Sequence, residues 1–466
     1  MVCGDKRLAF MATRHDSISF AQASAPAWHG FVFVMTATEP RMFSSGSRGA
    51  TRAKSTGSVG LIHPETHFTD EKAGPLRAET YHRLRRHWQF INELKLFDEI
   101  QNQRRYGINV YGAANDPSFV QAASLYHPDT VIRSFSHDGS GDEPGIKDPD
   151  GNWDIRPHKG RLVTVDAKTL ATWAEMLEDP ETPVLQTRMV YAVNRATADV
   201  LDKLSAAPRM SQLNLQFSRG WDESIDRKKG FFDSEWGVPE SWDDVILQGP
   251  HLFVGTPLYK APNKTMLNHL DWSPVDLEAL AVETIPATSY KPRGDRAKYD
   301  ASYTHWQLSA SEHQGSATVS AARFYRVAWR TMAANTGERT LIPAIIPPGA
   351  AHVDGIYSLG VPGDPATLVL VAASLGSLLG DFSVRAAPKS TIRSGTALRL
   401  PFAEASDRLG SAILLRTLRL NCVTSSYADL WARCYCESFV HDDWVGGLPY
   451  DGRASLGAVA PEWSAA

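Results

Sequence analysis

Gly57-Ser-Val-Gly-Leu-Ile-His63, stopped by Pro64, is the first short apolar run that reads clearly. It has the pattern of a buried strand with a proline stop. Pro75 then stands where a helix would start. Leu76, Tyr81, Leu84, Trp88 and Ile91 follow at steps of three to five, an amphipathic helical stripe with Arg77, Arg83, Arg85 and Arg86 on its polar face. Leu94, Leu96 and Phe97 alternate loosely as a strand, and Ile108, Val110 and Tyr111 as another. Strand, helix, strand, strand is the order of one edge of an α/β sheet, and it sets the fold class expected for this part of the chain.

Upstream, residues 1–56 show no usable period. Met42–Ser58 is rich in Ser, Gly, Arg and Thr, so 1–56 is expected to be an irregular or disordered lead-in. Downstream, residues 136–161 are turn-rich. Asp148-Pro-Asp150-Gly-Asn152-Trp-Asp154 spaces oxygen ligands by two, as a calcium loop does. Trp153 stands where such a loop needs Gly, and Lys159 where it needs Glu, so an Asx/Gly turn is expected. Asn115-Asp-Pro-Ser-Phe119 is turn chemistry as well. Leu162–Val165 reads as a strand, and Lys168–Glu178 and Met189–Ser205 as helices.

After Pro208 the segments shorten and fill with Trp, Pro and Gly. His251–Gly255 reads as a strand and turn. Ser320–Asn335 reads as a helix that places Arg323, Arg326 and Arg330 on one basic face. Thr340–Ile346 is an apolar strand stopped by Pro347-Pro-Gly349. Ala366–Val384 is the longest apolar tract, but Gly376, Gly380 and Asp381 interrupt it, so a buried core helix is expected and no membrane span. Leu414–Leu420 and Ser426–Glu437 complete the ordered part, and no internal repeat is visible.

The chain has 466 residues, room for two or three domains. Its formal net charge of −4 excludes a uniformly basic nucleic-acid coat. The average hides an uneven division. Residues 201–320 carry 12 Lys and Arg against 16 Asp and Glu, while residues 321–435 carry 12 against 7, with Arg eleven to one over Lys. An arginine-rich block suits phosphate or guanine contacts, and equally a solvated charged face. Cys3, Cys422, Cys434 and Cys436 are too few for a disulfide scaffold. With His441 the last three match no standard zinc spacing, so buried or neutral thiols and no metal are expected. No basic-then-apolar leader opens the chain, and a cytoplasmic location is expected. A phosphate-binding Gly-rich loop, Gly-x-Ser-x-Gly and His-Glu-x-x-His are all absent. His63 and His67 are four apart, but Pro64 makes a shared helical face doubtful.

Several longer runs carry a family resemblance. They are Gly57–Phe68, Leu84–Phe97, His137–Gly141 with Gly145–Trp153, Gly249–Gly255, Arg323–Arg330, Glu338–Gly349, and Leu415–Cys422 leading to Tyr427–Trp431. Together they resemble the C-terminal half of type IIG-like, restriction-modification DNA adenine-N6 methyltransferases. The resemblance covers about residues 57–440. It implies the trailing part of a Rossmann-like methyltransferase α/β domain over 57–208, an α+β target-recognition domain over 209–440, and a flexible tail over 441–466. It also implies double-stranded DNA as partner, with Arg323, Arg326, Arg330, Arg339, Lys389 and Arg393 as contacts.

The family uses S-adenosylmethionine, held by a glycine-rich motif, and an Asn-Pro-Pro-Tyr motif that holds the adenine. Residues 1–56 carry neither. S-adenosylmethionine is therefore not expected to bind this chain alone, no catalytic residue is assigned, and a separate chain bearing those motifs is the expected partner. A truncated, non-functional remnant is the alternative. A protein-interaction or carbohydrate-binding module displaying Trp221, Trp236, Trp242 and Trp272 is a third, although Trp at this density is more often core.

Overall fold

The computed structural model describes residues 18–22, 31–36, 58–179, 181–308, 317–333, 337–386, 391–403, 408–441 and 459–464. The chain divides into two compact units, residues 1–206 and 207–466.

The first unit runs through strands β1 (Ile18–Gln22), β2 (Phe31–Thr36) and β3 (Val59–Pro64), then helices α1 (Thr66–Thr69) and α2 (Gly74–Arg83). Strands β4 (Leu84–Ile91), β5 (Arg105–Tyr111) and β6 (Ser118–Leu125) follow, then helix α3 (Pro128–Ser134), strand β7 (Val163–Asp166) and helices α4 (Ala167–Leu177) and α5 (Arg195–Ser205). The seven strands form one sheet in the order β1-β2-β3-β5-β4-β6-β7. Only the β4–β6 pair is parallel; the other pairs are antiparallel. A Rossmann-type sheet is built from parallel strands joined by helical crossovers. The expected partial Rossmann-like sheet is therefore replaced by a mixed, mainly antiparallel one, and the class is mixed α/β.

Four local expectations change with it. Part of the lead-in, expected to be irregular, forms β1 and β2, and β2 pairs with β3. The helix begun at Pro75 stops at Arg83, and the rest of the apolar stripe is β4, whose Leu84, His87, Gln89 and Phe90 are buried. Leu84, Trp88 and Ile91 satisfy a helical period by coincidence; pairing with β5 on one side and β6 on the other decides the conformation. Leu94 and Leu96 are exposed in a turn rather than a strand. The helix expected from Met189 begins only at Arg195, because the Asn194 side chain accepts the Thr197 N–H and sets the N-cap there. In the 136–161 segment Asp148 accepts the N–H groups of Asp150 and Asn152, an Asx turn.

The second unit opens with β8 (Gln216–Ser218), α6 (Ile225–Lys228), β9 (Phe232–Gly237), β10 (Ile246–Leu247), β11 (Lys260–Pro262), β12 (Trp272–Pro274) and β13 (Thr288–Pro292). It continues with α7 (Arg296–Ser302), β14 (His305–Leu308), β15 (Ala317–Ser320), β16 (Arg326–Arg330), β17 (Pro343–Ile346), β18 (Ala351–His352) and β19 (Ile356–Gly360). Helices α8 (Pro365–Gly376), α9 (Leu378–Ala386), α10 (Ser394–Ala397), α11 (Arg408–Asn421) and α12 (Ala428–Cys434) close it. A four-stranded antiparallel sheet, β17-β16-β19-β8, packs its Val327, Trp329, Ile345 and Leu359 into one core with α8, α11 and α12. Four two-stranded ladders surround it, among them β9–β13 and the β11–β12 hairpin.

The apolar tract expected as one helix is α8 and α9, bent by 58°. No single helix among the described residues is long and apolar enough to cross a membrane. His251–Gly255, expected as a strand and turn, forms no strand: His251 ends a 3-10 turn, and a tight turn closed by Phe253 and Thr256 follows. Residues 459–464, expected in a flexible tail, pack on the helical core: Trp463 Nε1 donates to the Cys422 carbonyl at 2.8 Å, and Trp431 Nε1 to the Ala460 carbonyl at 2.9 Å.

Candidate nucleic-acid interface and a buried polar cluster

The basic helix 320–335 does not form. Ala321–Arg323 is a single 3-10 turn, and Arg326–Arg330 is the central strand β16. Arg326 is fully buried; its guanidinium donates to Tyr303 Oη at 3.2 Å and to the Ala350 carbonyl. Arg330 is half-buried and donates to the Leu252 carbonyl, and burial holds its pKa below the usual value. Arg323 alone of the three is exposed, 3.7 Å from Asp243. The spacing fits a helical period, but β16 is buried on both faces and takes its conformation from β17 and β19.

The other predicted contacts lie elsewhere. Arg339 donates to the Gly376 and Ser377 carbonyls, closing the C-terminal end of α8. Arg393 pairs with Asp354 at 2.9 Å, a carboxylate it shares with Arg219. Lys389 lies outside the described residues. The structure thus brings none of the five described positions into a common basic face.

A different basic feature stands on β9 and α6. Asp222 accepts the N–H groups of Ser224 and Ile225, which starts α6, and Gly230, at φ +79°, ends it. That single turn presents Arg227 and Lys228 to solvent, with no carboxylate partner among the described residues. Together with Ser234, Asp233 and Arg293 they line an open groove of about 470 Å³. Arg293 is tied to Asp233 at 3.0 Å and Glu235 at 2.7 Å, so Asp233 is already neutralised. Two free cations and a hydroxyl, beside a second guanidinium shared with Asp233 and Glu235, are a donor set for phosphate oxygens. The signal was present in the sequence: Arg227-Lys228-Lys229 is its only run of three consecutive cations. It lies in the block that is net acidic, whose average charge masks it.

The tryptophans are structural. Trp221 is buried and donates to Tyr299 Oη, and the Nε1 groups of Trp236 and Trp242 reach the Pro262 carbonyl and Ser426 Oγ. Trp272 packs edge-on against His251. Cys422 and Cys434 are buried thiols, and burial pushes the Cys434 thiol up to about 12.

The first unit holds a cluster that sequence reasoning missed. Register places Asn109, His87 and Gln121 opposite one another across β5, β4 and β6. All three are fully buried. Glu65 reaches in from the loop after β3: its Oε2 accepts from His87 Nε2 at 3.0 Å and from Tyr191 Oη at 2.7 Å. Burial pushes the Glu65 carboxyl up, but His87 and Tyr191 outweigh it and hold the pKa below its ordinary value. His63 Nε2 accepts from Tyr111 Oη at 2.9 Å and Asn109 Nδ2 at 3.0 Å, while its Nδ1 faces the Pro64 carbonyl. That leaves the ring neutral, and burial holds its pKa low. His63 and His67 do meet, ring centres 4.7 Å apart, but with His63 on a strand and His67 on α1. Glu65 Oε1, Asn109 Oδ1 and Gln121 Oε1 have no hydrogen-bond partner among the described residues. The other His87 ring nitrogen, Nδ1, lies 3.4 Å from Gln121 Nε2, so the ring is held from both sides. Among the described residues no group of three or more His, Cys, Asp or Glu is arranged to hold a metal ion.

Neither feature is a seat for S-adenosylmethionine. The groove is open and cationic, the cluster is filled by its own side chains, and no described parallel strand leads through a glycine-rich turn into a helix.

No protein-family model and no curated protein match the chain. Among solved structures it is similar to the type IIG restriction endonuclease BpuSI, at 11% sequence identity and a TM-score of 0.26. The match covers 82% of this chain and 45% of that one, so the chain spans less than half of that protein's length. Likeness at this level carries no argument for a shared fold or activity.

Proposed function

We propose that this chain is the DNA-recognition part of a restriction-modification or phage-defence adenine-N6 DNA methyltransferase. In this reading a separate chain supplies the methyl-donor and Asn-Pro-Pro-Tyr elements, and no step of methyl transfer is assigned to the residues here. The observation that carries the reading is the groove of Arg227, Lys228, Ser234 and Arg293. The sequence runs from Gly249 to Trp431 support it independently. The contacts move from the arginines of β16 to α6 and the end of β13.

The test is a salt titration of full-length protein on a labelled, mixed-sequence duplex. Each phosphate contact contributes about 0.9 to the slope of log affinity on log salt, so replacing Arg227 and Lys228 by Ala lowers the slope by about 2. Wild-type protein that shows no salt-dependent binding at low ionic strength removes the reading. An unchanged slope in the double variant removes the groove as its site.

A further inference from the structure

The most exposed large apolar side chains among the described residues are Leu267, at 77%, with Leu270 and Met332 close behind at 76%. The two leucines share the tip of the β11–β12 hairpin, and the tip is built to hold them outward. The Asp271 carboxylate accepts from Asn263 Nδ2 at 2.8 Å, Thr265 Oγ1 at 2.7 Å and the Leu267 N–H at 2.8 Å. Asn268 Oδ1 accepts the Leu270 N–H at 2.8 Å. Met266 takes a left-handed conformation, φ +40°, that non-glycine residues adopt at a cost. A chain that spends backbone strain and a clamped carboxylate to keep two leucines in water is presenting them.

The surroundings say to what. Between Lys260 and Leu270 the charged side chains are Lys260 and Lys264, with His269 exposed beside them. The first carboxylate, Asp271, is spent on the clamp. Neither lysine has a carboxylate partner among the described residues; Lys264 Nζ lies 5.8 Å from the Trp236 ring. Trp236 also anchors the hairpin, donating to the Pro262 carbonyl at 2.8 Å. It sits on β9 two residues beyond Ser234, roughly 7 Å along the strand, so the hairpin rises from the strand that lines the cationic groove. Apolar side chains flanked by cations, beside a cationic groove, are the chemistry of a wedge that enters stacked bases.

We propose that the Lys264–Leu270 tip is a DNA wedge: Leu267 and Leu270 enter a base step of the duplex while Lys264 and the Arg227/Lys228 groove hold the flanking phosphates. This rests on the DNA-recognition reading and deepens it. The ligand is duplex DNA, contacted through unstacked bases rather than through base-edge hydrogen bonds.

The test uses full-length protein and a mixed-sequence duplex probed with permanganate, which oxidises unstacked thymines. Wild-type protein should create reactive thymines within the bound segment. Leu267→Ala/Leu270→Ala should abolish them and weaken binding by roughly tenfold, with the salt slope unchanged because no phosphate contact is lost. Lys264→Ala should keep the reactive thymines and lower the slope by about 0.9. The leucines are solvent-exposed, so an unaltered thermal midpoint is expected in both variants and verifies the fold. Salt-dependent binding without reactive thymines, or reactive thymines that persist in the leucine variant, overturns the wedge while leaving the DNA reading intact. No binding at all overturns both. Loss of self-association in the leucine variant with unchanged thymine reactivity makes the tip a protein contact and also overturns the proposal.

Discussion

Lowering the pH should unfold the second unit through His251, and the structure gives both sign and size. His251 is fully buried, and both ring nitrogens are used in the neutral form. Nδ1 accepts the Gln248 N–H at 2.9 Å, and Nε2–H donates to the Ala287 carbonyl at 2.9 Å. A proton on Nδ1 would give up the Gln248 N–H and turn to the Gln248 carbonyl 3.2 Å away, which offsets part of the burial cost of the charged ring. Burial, set against the two backbone bonds, takes the pKa from 6.5 down to about 4. Because the folded value lies below the unfolded one, the unfolded chain binds the proton first as pH falls. Stability is complete above about pH 6.5 and is lost progressively toward pH 4, by about 3 kcal/mol for this one group. His352, buried and held at about 3, adds a loss of the same sign. The assay is urea unfolding at a series of pH values, followed by tryptophan emission, since Trp272 packs on the His251 ring. His251→Asn keeps an acceptor toward Gln248 and loses the bond to Ala287, so near neutral pH it should be less stable by about 1–2 kcal/mol. That deficit should shrink, and then reverse, as pH falls through the window. A deficit that stays constant from about pH 7 to pH 4.5 refutes the linkage.

Two further outcomes follow from buried groups. Arg326→Ala should cost roughly 2–4 kcal/mol in urea unfolding, because it leaves a buried void at the start of β16 and strips Tyr303 Oη and the Ala350 carbonyl of a donor. It should leave the salt slope of DNA binding unchanged, which would not hold if Arg326 touched phosphate. Gly107→Ala should destabilise the first unit by about 1–3 kcal/mol, since the new Cβ would clash with Glu65 Oε1, on a carboxylate pinned by His87 and Tyr191. A calorimetric midpoint equal to wild type would show that the cluster yields freely.

What was legible in the sequence was whatever local pattern decides. β3, β5, β7, α4 and β17 fall where period, proline stops and capping residues put them. What was not legible was decided by partners far away in the chain. β4 and β16 both carry apolar residues at spacings a helix also permits, and each is a strand because neighbours on both sides claim its backbone. The arginine face failed for that reason: spacing of three and four means one exposed side of a helix, but here Arg326 and Arg330, four apart on β16, turn to one strand face and into the interior, while Arg323 falls in the turn before it. The Glu65 cluster was invisible because its members come from five separate segments, and a lone His or Asn in a strand carries no signal of the row it completes. The Arg227-Lys228-Lys229 run was plain in the sequence, and regional charge averaging concealed it.

The corner between α8 and α9 has a consequence for how the chain is made. Asp381 accepts the N–H groups of Thr340 and Leu341 at 2.7 and 2.8 Å and pairs with Arg385 at 2.8 Å, with Arg339 Nε 3.6 Å away. Three of these four partners precede it by about forty residues in the order of synthesis. At roughly 5–20 residues per second, the strand lead-in has been outside the ribosome for seconds when the carboxylate emerges. One helical turn later Arg385 completes the set. The apolar tract therefore meets a waiting, polar docking point as it is born, and it can turn its 58° corner without passing through a long stage as a single exposed apolar rod.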